Sequence, residues 1–110
     1  KMSYYDNVYH SPEKFGLTLI DQLDLAGGYE YDTVLVFEKE GKLYWAHDSG
    51  CSCPIPFEGY KSIEDLDILD WKEFEAFVDN WSNWDKSSSD EADKADLKRT
   101  VINKMKELNL

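Results

Sequence analysis

The sequence has no apolar run approaching the roughly 20 residues that a membrane-spanning helix needs. No basic segment leads into an apolar stretch, so no secretory leader is expected. Basic residues are scarce: 12 Lys and Arg stand against 23 Asp and Glu, for a net charge of −11. At a pI near 4.4, binding nucleic acid by neutralising its phosphates is excluded. A phosphate-cradling glycine loop, a zinc-protease helix and a serine nucleophile elbow are all missing, so neither a cofactor nor a catalytic set is predicted. Internal repeats are absent too. With two cysteines there is no disulfide framework. Cys51 and Cys53 are separated only by Ser52. A bridge between them would work near the upper Cα separation of about 7 Å and would be strained. Two reduced thiols in a cytoplasm are expected instead.

Aromatic residues are plentiful. Four Trp, seven Tyr and five Phe in 110 residues exclude a wholly disordered chain, because that much apolar area is buried wherever it can be. The length suits a single domain over residues 1–110. Residues 1–14 read as an irregular arm carrying Tyr4, Tyr5 and Tyr9, with Pro12 placed to start one helical turn. Residues 15–61 read as sheet and an ordered Cys-Pro loop, and 62–110 as an acidic helical part.

Within the middle segment the apolar period is two. Leu17, Leu19, Leu23 and Leu25 share a parity that Asp21 interrupts, which predicts a strand with a polar position or a bulge. After Gly27-Gly28, residues Tyr29, Tyr31, Thr33, Leu35 and Phe37 alternate with Glu30, Asp32, Val34 and Val36. Such a strand starts with one wet face, formed by Glu30 and Asp32, and ends buried on both, as a central strand does. Gly41 supplies a hairpin turn, and residues 43–47 return. The expected sheet is a three-stranded antiparallel meander over 16–47. Residues 48–60 hold two prolines and two glycines, which exclude a helix and a central strand. Ile55, Phe57 and Tyr60 can anchor that loop, and Asp48 or Ser49 can fold back on the backbone.

Helical signals follow. Ser62 precedes a short capped turn, and Asp70 caps a helix over 71–81. Trp71, Phe74, Val78 and Trp81 form its apolar face, flanked by Phe77. Ser88 or Ser89 can cap a last helix whose stripe is Leu97, Val101, Met105 and Leu108, widened by Ile102. Strands first and helices afterwards predict an α+β fold: a three-stranded antiparallel meander followed by two or three helices packed on one face.

Charge is unevenly spread. Residues 62–96 hold twelve acids against three lysines, a balance of −9, while 97–110 carry +3. Acids near helix N-termini and bases near a C-terminus complement the macrodipole and account for part of this pattern. The remainder predicts a partner-binding face for a basic protein surface, with Glu64, Asp67, Glu75, Asp79 and Trp84 as candidate contacts. Carboxylates standing in for phosphates would make that face a nucleic-acid mimic. Direct nucleic-acid or membrane binding is not expected. The alternative reads His47, Cys51 and Cys53 as zinc ligands. Against it, one intervening residue is fewer than the usual two to four, and a fourth ligand would have to come from Asp48, His10 or water. A Cys nucleophile with His47 as base lacks the positive surroundings a thiolate needs, because its neighbours are Asp48 and Glu58.

The stretch from Asp48 to Glu58, with Asp48-Ser49-Gly50-Cys51-Ser52-Cys53-Pro54-Ile55-Pro56-Phe57-Glu58 following Leu43-Tyr44-Trp45, resembles the core of a family of small uncharacterised proteins encoded by bacteriophages, mostly of actinobacterial hosts. Gly16-Leu17 and Tyr29-Glu30-Tyr31-Asp32-Thr33 are similar as well. The resemblance spans residues 15–66 and leaves 67–110 outside. It implies a setting in the cytoplasm of an infected cell and no assigned activity. The combined expectation is a small, acidic, non-enzymatic protein-binding module, a phage accessory or inhibitor that meets a basic host protein.

Overall fold

The computed structural model describes residues 4–51, 55–84 and 86–110. Strand β1 (Thr18–Asp24) pairs antiparallel with β2 (Glu30–Lys39), which pairs with β3 (Lys42–Cys51), and β3 pairs with β4 (Asp67–Ile68). Helices α1 (Trp71–Asn80) and α2 (Asp90–Glu107) follow. The fold is α+β, but two counts are corrected. The sheet has four strands rather than three, and the two or three helices become two α-helices with short 3-10 turns at Pro12–Phe15 and Ile63–Asp65. At two residues β4 carries no readable period. It exists because β3 offers it an edge at Tyr44 and Trp45, extended by Leu69 N–H donating to the Leu43 carbonyl at 3.0 Å. Strand β3 also runs four residues into the expected loop. Its partner β2 supplies the ladder as far as Cys51 opposite Glu30, and the prolines begin only beyond it.

Central placement of β2 follows from its composition. From Tyr31 to Phe37 every residue is buried, on both faces. One face, with Val34, Val36, Leu43 and Trp45, packs under Phe74, Val78 and Trp81 of the α1 region and under Leu97 and Val101 of α2. The other, with Leu35, Phe37 and Ala46, is covered by Val8, Leu17, Phe57 and Leu66. Helices therefore occupy one side of the sheet, and the arm and the Cys-Pro loop occupy the other. Among the described residues the arm has no regular structure before Pro12, but it is held in place. Asn7 is fully buried, and its Oδ1 accepts the backbone N–H groups of Tyr9 and His10. Val8 N–H donates to the Tyr60 carbonyl at 3.0 Å and ties arm to loop.

The polar interruption in β1 is a bulge: the register shifts between Leu19 and Asp21. An extra residue reverses the parity of the strand. Leu17 consequently faces the arm side, while Leu23 and Leu25 join the helix side. At the β2–β3 turn, Glu40 and Gly41 both take positive φ, 52° and 78°, as a two-residue hairpin that matches strand twist requires.

Helix α1 starts where expected: the Asp70 carboxylate accepts the Glu73 N–H at 3.2 Å. Helix α2 differs. Its N-cap is Ser89, yet no serine side chain caps it, and the Asp90 carboxylate accepts the Ser87 N–H instead. Phe74 is the test of the helix–sheet interface. It is fully buried and meets Trp45 edge-on at 5.3 Å. Phe74→Ala should lower stability by about 3–5 kcal/mol in equilibrium unfolding; a loss below about 1 kcal/mol would mean that Phe74 does not anchor the helix.

Candidate functional site

Asp32 lies in β2 on the helix face, opposite Ser49 of β3. Pairing it with Glu30 on a wet face is corrected: Asp32 is buried. Its Oδ1 accepts from His47 Nε2 at 2.5 Å and from Trp81 Nε1 at 2.9 Å, and its Oδ2 accepts from Asn83 Nδ2 at 2.9 Å. Its backbone is equally committed, since the N–H donates to Asp24 Oδ1 and the carbonyl accepts from Leu25. Burial pushes the Asp32 carboxyl upward, but hydrogen bonds from Asn83, His47 and Trp81 outweigh it and hold the group below its ordinary value of 3.8. An ionised acceptor requires His47 Nε2 to carry its hydrogen. The imidazole also packs against Phe77 at 4.9 Å and Trp81 at 5.8 Å.

The chain leaving α1 is held at a second point. Lys94 of α2 is buried, and its Nζ donates to the Trp81 carbonyl at 2.8 Å and the Asp79 carbonyl at 3.4 Å. It supplies positive charge to a helix C-terminus that has no basic residue of its own. Asp32 and Lys94 together fix Trp81 and Asn83, one residue short of Trp84.

Past Asp32 the helices no longer cover the sheet. The β2–β3 register places Glu30 opposite Cys51 and Asp32 opposite Ser49 on one face. Asn83 and Trp84 stand as a wall beside them, bordering an open cleft of about 320 Å³. Trp84 is 81% exposed there. No basic side chain lines the cleft among the described residues.

The opposite face at this end is organised by Asp48. Its Oδ2 accepts the Phe57 N–H at 2.8 Å and the Tyr31 hydroxyl at 3.3 Å, and its Oδ1 accepts the Ser49 N–H. These bonds hold Phe57, fully buried, at a positive φ of 60°. Gly50 passes so close that a Cβ would sit 3.0 Å from the Tyr31 hydroxyl. Burial first, and the Asp48 charge and hydrogen bond next, push the Tyr31 phenol up to about 12.

The residues expected to meet a partner are spread over several elements. Glu64 is exposed on the Ile63–Asp65 turn and Asp67 on the edge strand β4. Glu75 and Asp79 lie one turn apart on α1, and Asp79 is paired with Lys98. Trp84 alone lines the cleft. Of the alternative zinc set, His47 is engaged by Asp32 and Cys51 lies at the end of β3, while Cys53 is outside the described residues, as is part of the reduced-thiol expectation. No group of three His, Cys, Asp or Glu able to hold a metal ion occurs among the described residues. No helix there is long and apolar enough to cross a membrane. No sequence motif marks Asp32, Asn83 or Lys94. The one available signal was an acid inside a strand otherwise buried on both faces.

Two titrations test this region. Asp32→Asn places an amide N–H₂ against inward-pointing donors and should destabilise the fold by about 2–4 kcal/mol at neutral pH. The depressed Asp32 carboxyl contributes stability above pH 3.8 that is lost as the pH falls below it. The gap between wild type and variant should therefore shrink in denaturation curves taken below that pH; a gap independent of pH would contradict an ionised Asp32. Tyr31 has the opposite sign. Its raised pKa contributes stability that is intact below pH 10.0 and lost as the pH rises towards about 12. Phenolate absorbance should show a late-titrating component that Tyr31→Phe removes.

Residues 6–108 match the family described as "Domain of unknown function (DUF7574)". No curated protein and no solved structure matches the chain. The family match runs through α1 and α2 and includes the acidic helical half that the loop resemblance left outside. With the Asp32 junction, the Asp48 loop and both helices inside the matched span, the chain belongs to the DUF7574 family.

Proposed function

We propose that this protein is a non-enzymatic protein-binding module, a phage-encoded accessory or inhibitor that engages a basic host protein in the infected cell's cytoplasm. The phage setting rests on the resemblance of the Asp48–Glu58 loop. Binding is supported chiefly by Trp84, an indole 81% exposed on a connection that Asp32 and Lys94 immobilise. Exposed tryptophan on a rigid mount is favourable interface material, because little conformational freedom is left to lose on association. Acids flank it on both sides: Asp79, paired with Lys98, lies in the last turn of α1, and Asp90, Glu91 and Asp93 form the first turn of α2, which carries the steering charge. Charge of that sign steers a basic surface towards the indole and raises the association rate. Whether the carboxylates imitate a phosphate backbone depends on whether the partner's nucleic-acid groove is the surface they cover.

The test uses the intact protein immobilised in host lysate at low and high salt. Trp84→Ala should leave stability within about 0.5 kcal/mol and weaken capture of a basic host protein by at least about tenfold. Glu75→Gln with Asp79→Asn should slow association at low salt, and the difference should fade as salt rises. Wild-type capture by both variants at every salt concentration would remove the helical half from the binding surface.

A further inference from the structure

The cleft at the open end of the β2–β3 hairpin has a chemistry of its own. Three features meet there. Trp84 presents an exposed ring at the wall. Glu30 is an exposed carboxylate at the end of β2, set opposite Cys51 by the register. Asp32 closes the inner end as a carboxylate whose oxygens are already occupied by His47, Trp81 and Asn83. Asp32 thus contributes negative potential without needing a new partner, and Glu30 is left at the mouth to make one. No cation lines the cleft among the described residues, in a chain of net charge −11.

We propose that this cleft takes the guanidinium of an arginine side chain from the basic partner, stacked on Trp84 and paired with Glu30. The inference rests on the protein-binding reading and names the chemistry of its central contact. A guanidinium fits because it does two things at once. Its planar face lies against an indole, and its fork of N–H donors reaches a carboxylate. An ammonium offers a point charge and no plane to stack. The volume, about 320 Å³, has room for one long side chain.

The experiment titrates the full chain with a short arginine-containing peptide, its lysine counterpart and its uncharged citrulline counterpart. Trp84 indole and Glu30 amide resonances are followed, with Trp84→Phe used to assign the indole. The arginine peptide should shift both resonances, the lysine peptide should bind more weakly, and the citrulline peptide should leave them in place. Glu30→Gln and Trp84→Ala should each weaken arginine binding by roughly three- to fivefold, and added salt should weaken it further. Equal shifts with citrulline or lysine, or wild-type binding by Glu30→Gln, would overturn the assignment. Both substitutions lie at exposed positions, and unfolding midpoints report whether each variant stays folded. Should the arginine peptide cause no shift while lysate capture still depends on Trp84, the cleft assignment falls and the protein-binding reading stands. Loss of that dependence in lysate would instead remove the reading beneath it.

Discussion

The buried carboxylate of Asp32 connects the two halves of the molecule. One oxygen receives donors from β3 and from the end of α1, and the other receives a donor from the connection to α2. A charged acceptor with three side-chain donors is stable in a low-dielectric site because its hydrogen bonds replace the water it lost. Removing it would strand the buried Trp81 N–H and release the segment that carries Trp84. Lys94 repeats the arrangement with opposite sign, placing an ammonium on the carbonyls that end α1. Sheet, first helix and second helix are thus locked by two buried charges of opposite sign that meet different atoms of the same tryptophan.

Around that junction the sheet is sealed on both sides by unlike materials. Helices cover one face; an arm and a proline-containing loop cover the other. Irregular chain can serve as a core layer only if its backbone groups find partners. Asn7 and Asp48 provide them, each accepting from two backbone N–H groups. The loop with the family resemblance consequently rests on Asp48, one residue beyond the histidine that serves Asp32 on the opposite face. The same stretch of β3 organises the helix side with one residue and the loop side with the next.

Electrostatic asymmetry has two separable sources. Part is internal: Lys98 neutralises Asp79, Lys104 bridges Glu38 and Glu107, and Lys94 serves a helix end. The more exposed of these pairs, Lys98 with Asp79 and Lys104 with Glu107, contribute little stability each. Glu30, Glu64 and Asp67 are exposed on other elements. Their potential, together with the first turn of α2, is what a cationic partner would encounter, and it supports the proposed binding role more directly than the raw balance of −9 over residues 62–96.

Period and punctuation determined much of the architecture. Alternation from Tyr29 to Phe37 marked a central strand, Gly41 marked its turn, Asp70 marked the start of α1, and the broken parity at Asp21 marked the bulge. These signals are local: each follows from side-chain direction or backbone dihedrals within a few residues. Other features were decided only by tertiary structure. Strand β4 has two residues and is defined by the edge it meets. The extension of β3 to Cys51 came from a partner strand that outweighed an unfavourable local composition. The helix-side end of β2 reads as wet, yet Asp32 is buried there because Trp81 and Asn83, about fifty positions away in sequence, fold over it. A buried polar group is identified by its donors, and donors that distant leave no trace in the local pattern.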